Sequence, residues 1–373
     1  MAVKSILILT AGFGEGHNAA ARNLRDAVQI RYPDATVAVE DIFESAYGGI
    51  NRLAQRNYLW LINHAPALWN VVFRWLDRTP VVAQKIGVFG RAAKLLREMI
   101  SARNPDIVVS TYPGYNHLLD HIHLTETKRN YVQITVVTDS ITVNSVWLSG
   151  HSDWLLVCNE ATADVIRKAE FPAEKIQVSG FPVPPIFADL RELKSPPAPG
   201  QKWKILLVVN SGKRIAVDIL RAIAAMPNIE ITLTVGRDEK LQERLAQIAT
   251  AAGVNARIFG WTDQMPRLIA ESHVVISKAG GATVQECLAA TSPMLISQIV
   301  PGQEEGNARL IVESGAGCIA HSPDAIVRAL NDAFSNDGEV WRSWYQSMCT
   351  LSRPAASNEI ADWLMALPEP ISR

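Results

Sequence analysis

Two glycine-rich turns hold most of the residues that could do chemistry in this chain. The longer one runs from Lys278 to Asn307: KAGGATVQE, an apolar stretch PMLISQ, then PGQEEGN. HVVISK (273–278) is an apolar run that ends in a basic residue. Gly280 and Gly281 then allow a sharp turn and close approach of the backbone to a ligand. A helix beginning near Thr283 would aim free N–H groups and the positive end of its dipole at that turn, a place suited to a pyrophosphate. Glu286 comes three residues after Thr283, so both fall on one helical face. Its carboxylate is suited to a pair of ribose hydroxyls. Gln303, Glu304 and Asn307 add amides and a carboxylate able to read sugar hydroxyls. Loops that follow neighbouring parallel strands share one edge of the sheet, so the two polar loops say more together than either does alone.

The second turn is AGFGEGHNAAA (11–21), in which Gly12, Gly14 and Gly16 form the loop and His17 opens a helix. A neutral imidazole is a suitable general base near pH 7, and a helix N-terminus disfavours the imidazolium. The spacing comes close to G-x-G-x-x-G without matching it, because histidine stands where a third small residue is needed. Glu40 or Asp41 could supply the acid that a dinucleotide site requires, so that alternative stays open. Asp139 is a second candidate base, although an aspartate at a strand end also caps turns.

These residues need elements to position them. Strands are expected at 4–10, 36–42, 106–111, 132–138, 154–158 and 176–179, with helices at 17–31, 82–102, 115–124 and 160–169. The continuous Val/Ile/Leu runs are those of buried parallel strands. FPVPPIF (181–187) and KSPPAPGQ (194–201) are too rich in proline for a helix or a central strand, which puts a linker near 185–202. The pattern restarts with strands at 203–213, 229–236, 256–261, 273–278 and 293–297, and a helical tail from Ser322. The expected architecture is α/β, with two Rossmann-like domains facing a cleft. The expected divisions are 1–190 as an acceptor- and membrane-facing domain, 200–355 as a nucleotide-sugar domain, and 356–373 as a helix packing back on the first.

Composition narrows the function class. The 373 residues carry a net charge of −1, which argues against a general nucleic-acid binder. The four cysteines lie far apart without a C-x-x-C pair, as expected of reduced core residues in a cytosolic protein. No apolar stretch is long enough to span a bilayer, and VKSILILTAG reads as a first strand rather than a signal peptide. Residues 51–103 depart from the overall balance, with nine Lys or Arg against two acids. Trp60, Trp69, Arg74 and Trp75 belong to this basic, aromatic stretch, the composition of a surface for anionic lipid.

On these residues the chain resembles the monogalactosyldiacylglycerol synthase and processive diacylglycerol glucosyltransferase family, and more distantly the peptidoglycan GlcNAc transferase that makes lipid II. The resemblance rests on AGFGEGH, VTDSITVNSVW (137–147), GWTDQMPRLI (260–269), KAGGATVQE and PGQEEGN. It implies an inverting glycosyltransferase of the GT-B fold. A hexose, galactose or glucose, would pass from a UDP-sugar to diacylglycerol or a related lipid at an anionic membrane surface, with the enzyme peripheral on the cytoplasmic face.

The resemblance also implies roles. Gly260, Trp261 and Thr262 would lie against uracil, with Met265 opening the next helix. Lys278, Gly280, Gly281 and Thr283 would hold the diphosphate, Glu286 the ribose, and Gln303, Glu304 and Asn307 the hexose. Gly14, Gly16 and Ser211 complete the donor set, and Trp147 joins the acceptor side. His17 would deprotonate the acceptor hydroxyl, with Asp139 as the alternative base. No D-x-D triplet occurs, as in GT-B enzymes where helix dipole and side chains rather than a metal act on the leaving diphosphate. Asn144 stands where the family usually has a histidine, and Asn210-Ser211-Gly212 where it has several glycines. The competing expectations are transfer to another acceptor, a UDP-GlcNAc epimerase-like enzyme, and a non-catalytic nucleotide-sugar sensor.

Overall fold

The structure, a computed structural model, describes residues 4–65, 68–69, 71–72, 89–124, 129–190, 194–209 and 213–368. The chain divides into two compact units. The first comprises Met1–Pro185, Pro301–Gly306 and Ala355–Arg373, and the second Ile186–Val300 and Asn307–Pro354.

The first unit contains strands β1 (Ser5–Leu9), β2 (Thr36–Glu40), β3 (Ile107–Ser110), β4 (Val132–Val136), β5 (Trp154–Val157) and β6 (Ile176–Val178). They pair in parallel in the order β2-β1-β3-β4-β5-β6. Its helices are α1 (Glu15–Arg31), α2 (Ile42–Tyr47), α3 (Gly49–His64), α4 (Gly90–Arg103), α5 (Gly114–His123) and α6 (Glu160–Lys168). Alternate residues of a strand serve opposite faces, so Ile6 and Ile8 pack with Leu24 and Val28 of α1, while Leu7 and Leu9 pack with Phe43, Leu96 and Leu118. Both faces are covered, which is why these strands read as unbroken apolar runs.

The second unit repeats the plan with β7 (Trp203–Val208), β8 (Ile229–Thr234), β9 (Ala256–Phe259), β10 (Val274–Lys278), β11 (Met294–Gln298) and β12 (Gly317–Ile319). Their order is β12-β11-β10-β7-β8-β9, again parallel. The helices are α7 (Lys213–Ala224), α8 (Glu239–Ala251), α9 (Met265–Glu271), α10 (Gly281–Ala289), α11 (Glu305–Glu313), α12 (Pro323–Phe334) and α13 (Glu339–Leu351). The last helix, α14 (Ala356–Ala366), packs Ile360, Ala361 and Leu364 into the first unit's core. Arg31 at the end of α1 grips Asp362 through two hydrogen bonds of 2.6 and 2.7 Å.

In each sheet the strand order reverses direction once, between β1 and β3 and between β7 and β10. Loops at the carboxyl ends of strands beside such a reversal are where open α/β sheets bind ligands. The two glycine-rich turns follow β1 and β10.

Two expected helices are found and a third stretch of helix was not foreseen. The helix expected near Thr283 begins at Gly281. The helix expected over 82–102 is found at Gly90–Arg103; positions 82–88 lie outside the described residues. No helix was expected over 42–64, yet α2 and α3 occupy it. In α3 only a narrow stripe is turned inward and several of its apolar residues are exposed, which inverts the usual pattern. Among the described residues no helix is long and apolar enough to cross a membrane.

Candidate active site

His17 lies in the first turn of α1 and is buried. Its Nδ1 is 2.8 Å from the carbonyl oxygen of Thr111, with Thr138 Oγ1 at 2.9 Å. A carbonyl only accepts, so Nδ1 carries the proton and donates it, and the lone pair sits on Nε2. Burial lowers the imidazole to about 4, against the partial opposition of the Thr111 carbonyl. The ring is therefore neutral near pH 7, as a proton acceptor must be. Tyr112 meets it edge-on at 5.2 Å between ring centroids, and Trp147 lies tilted at 6.0 Å. The loop before His17 is built around Gly14, whose φ of 126° excludes side chains in practice. Gly16 faces open space.

Asp41 Oδ2 accepts from the Gly12 N–H at 3.0 Å, and Asp41 Oδ1 caps α2 through Glu44 N–H at 2.9 Å. Glu40 is paired with Arg103. Both acids considered for a dinucleotide ribose are thus committed to holding the fold, which removes the support for that alternative.

Asp139 follows β4. Its Oδ2 accepts from Trp147 Nε1 at 2.7 Å, and burial raises the carboxyl to about 6 while that hydrogen bond pulls the other way. Trp147, expected on the acceptor side, is itself 1% exposed, and its indole is a buried partner of Asp139. Asn144 caps the short turn Ser145–Trp147 through the Val146 N–H. Between them Ile141 adopts a φ of 60°, a conformation that costs a β-branched residue roughly 1–3 kcal/mol. Its N–H is held by Thr162 Oγ1 at 3.0 Å.

In the second unit the strand register shifts between Ser277 and Lys278, a bulge that ends β10. Lys278, Ser297 and Gln298 line a small pocket with Val209 and Ile215, at the carboxyl ends of β7, β10 and β11. Gly280 caps α10 with φ −68°, a value open to any residue, and no side chain caps the helix. The glycine there is not demanded by the backbone angle. Its use is to leave the N–H groups of the first turn uncovered. Gly281, Thr283 and Glu286 are partly exposed while Val284, Gln285 and Cys287 are buried, so the expected polar face is the outer one.

Thr262 Oγ1 accepts from Gln264 N–H just ahead of α9, which opens at Met265 with Pro266 in its first turn. Trp261 is 68% exposed, with the Arg237 guanidinium 5.9 Å from its ring centroid. A Cβ on Gly260 would stand 3.0 Å from Gln242 Oε1. Ser211 lies outside the described residues.

The PGQEEGN loop is split. Residues 301–306 belong to the first unit, where a Cβ on Gly306 would come within 1.8 Å of Ser140 O. Tyr58 donates to Gln303 Oε1 at 2.6 Å, and Glu304 is buried. Asn307, in the second unit, is 4% exposed and donates through Nδ2 to Ala279 O at 3.0 Å. It braces the turn between β10 and α10, a task sequence reasoning did not assign to it. Tyr58, Thr111 and Thr138 were also missed. Only the spacing of Gln55, Tyr58 and Ile62 along one stripe of α3 could have flagged the tyrosine.

Helix α3 exposes Ile50, Leu53, Leu59 and Trp60, at 73%, 58%, 46% and 58%. Arg52 and Arg56 are exposed with them. Trp69 turns partly inward and meets Tyr58 edge-on at 5.0 Å. Arg74 and Trp75 lie outside the described residues.

Two stretches of the chain match different family models. Residues 17–183 match the monogalactosyldiacylglycerol (MGDG) synthase family, and residues 211–338 match the glycosyltransferase family 28 C-terminal domain. The chain is 26% identical to monogalactosyldiacylglycerol synthase 3 of Arabidopsis thaliana, covering 96% of this chain and 80% of the other. It is 24% identical to the processive diacylglycerol beta-glucosyltransferase of Bacillus mycoides, over 97% and 93%. In structure it is similar to Acinetobacter baumannii MurG, with a TM-score of 0.63 at 15% identity, over 98% and 100% of the two chains. The chain is a GT-B glycosyltransferase related along nearly its whole length to the MGDG synthases and the diacylglycerol glucosyltransferases.

Proposed function

We propose that this protein is an inverting hexosyltransferase that moves galactose or glucose from a UDP-sugar to the free hydroxyl of diacylglycerol at an anionic membrane surface. The observation that carries this is a pair of complementary features. The first unit holds a neutral histidine whose proton is fixed on Nδ1. The second presents an uncapped helix N-terminus directly after Lys278.

In the reaction the acceptor oxygen attacks the anomeric carbon as the bond from that carbon to the diphosphate oxygen breaks. His17 Nε2 takes the hydroxyl proton, and UDP departs. The N–H groups of α10 and the Lys278 ammonium stabilise the charge on the leaving diphosphate, the role such donors play wherever charge develops in a transition state. Glu286 holds the ribose, Trp261 the uracil, and Gln303 and Glu304 the hexose. The outward residues of α3, with the basic stretch around them, rest on the lipid headgroups.

The test is a product assay by mass spectrometry. Purified protein is given UDP-glucose, UDP-galactose or UDP-GlcNAc with liposomes of diacylglycerol and an anionic lipid. A hexosyl-diacylglycerol from one of the first two donors is expected. A donor that is isomerised or left unchanged, with no lipid product, would reject the transferase.

A further inference from the structure

Helix α3 has two faces with different surroundings. Ile50, Leu53 and Trp60 are on the exposed one. Asn51, Gln55, Tyr58 and Ile62, spaced i, i+4, i+7 and i+11, form the other. That inner stripe touches both chemical loops of the first unit. The Gln55 amide lies over the Gly12 backbone, where a Cβ would meet its Nε2 at 2.5 Å. The Tyr58 ring meets Phe13, inside the glycine-rich loop, edge-on at 6.1 Å, and its hydroxyl donates to Gln303 Oε1 at 2.6 Å.

A glutamine amide has one acceptor end and one donor end, and rotating it by half a turn exchanges them. A phenol hydroxyl can donate to Oε1 or, with the amide turned over, accept from Nε2, so it anchors the side chain by one end of the amide. With the hydroxyl donating to Oε1, the end that remains for a ligand is the NH2 group, which can only donate.

We propose that Tyr58 is a positioning residue for the donor hexose: its hydroxyl fixes the Gln303 amide so that the NH2 group reads a hydroxyl oxygen of the sugar. The role rests on Gln303 contacting the hexose, as set out under Proposed function. An amide held in one orientation favours the C4 epimer whose hydroxyl oxygen lies in line with its N–H. An amide free to rotate accepts either epimer. Tyr58 therefore contributes to the choice between glucose and galactose without touching the sugar.

Tyr58→Phe keeps the ring against Phe13 and removes only the hydroxyl. The test is calorimetric binding of UDP, UDP-glucose and UDP-galactose to the full chain, for wild type, Tyr58→Phe, Gln303→Ala and the double variant. UDP affinity should stay within about twofold throughout. The extra affinity that the preferred hexose adds should fall about threefold to tenfold in Tyr58→Phe, the scale of one hydrogen bond. Adding Tyr58→Phe to Gln303→Ala should change nothing further, because the two act as one unit. A hexose increment that survives in Tyr58→Phe, or losses that multiply in the double variant, would overturn the role of Tyr58 while leaving the donor assignment intact. A wild-type protein that binds no UDP would remove the donor assignment itself, and this role with it.

Discussion

The two glycine-rich turns share a strand–turn–helix plan and differ in what the plan presents. After β1, Gly14 adopts a left-handed φ of 126° and the first helical turn carries a side chain, His17, pinned from two sides. After β10, Gly280 has an ordinary φ of −68° and no side chain caps the helix, whose first turn opens with Gly281, Ala282 and Thr283. One turn fixes an imidazole with its lone pair on Nε2, and the other leaves a helix N-terminus without a side-chain cap. The glycine pattern alone does not decide the chemistry; the occupant of the next three positions does.

The sharpest way to break this contrast is at His17. His17→Ala should lower kcat by about 10² to 10⁴ and leave UDP affinity unchanged, since only proton transfer is lost. Equal damage to both, measured by steady-state rates and calorimetry, would make His17 a donor-binding residue. The acidic limb of kcat/KM should lie near pH 4, where the buried imidazole gains its proton. A limb near pH 6 would move the base role to Asp139.

Asp139 offers a stability test of the same turn. Its folded carboxyl titrates near 6 rather than 3.8, so the buried charge destabilises the fold above pH 6, and that penalty fades as pH falls towards 4. Asp139→Asn keeps an acceptor for the Trp147 N–H and removes the charge. It should stabilise the protein by about 2 kcal/mol at pH 7 and by almost nothing at pH 4, read from urea unfolding. A loss of stability at pH 7 would contradict the burial account. His17 has the opposite sign, because its neutral form is favoured in the fold and stability is lost as pH falls from 6.5 towards 4.

On the second turn, Glu286→Ala should weaken UDP and UDP-sugar alike by about tenfold to a hundredfold, the worth of a charged acceptor on ribose hydroxyls, with kcat little changed at saturation. Unchanged donor affinity would remove the ribose role. The smallest effects belong to the outer face of α3. Trp60→Ser and Arg56→Gln should each weaken sedimentation with anionic liposomes by about fivefold, roughly 1 kcal/mol. Binding that ignores both would place lipid contact elsewhere.

The sequence shows the sheets plainly because buried parallel strands are continuous apolar runs, and ILIL, IVVS and VVISK could hardly be anything else. It also shows the two turns, whose residue types are unusual at strand ends. Neighbours that act across long separations were not legible. Thr111 serves His17 through a backbone carbonyl, which no residue type encodes, and Asn307 braces Ala279 from 28 positions away. Trp147 was expected on the acceptor side, and nothing in its residue type tells that its indole is buried against Asp139. Helix α3 escaped because its outward face carries the apolar residues that normally mark a core.

The roles proposed for His17 and α10, one base and one leaving-group cradle, imply a single displacement at the anomeric carbon. The most direct test is the anomeric configuration of the lipid product, read by proton NMR from the H1–H2 coupling. An α-linked UDP-glucose or UDP-galactose donor should give a β-linked glycolipid. An α-linked product would mean retention, and would contradict direct attack by an acceptor deprotonated at His17.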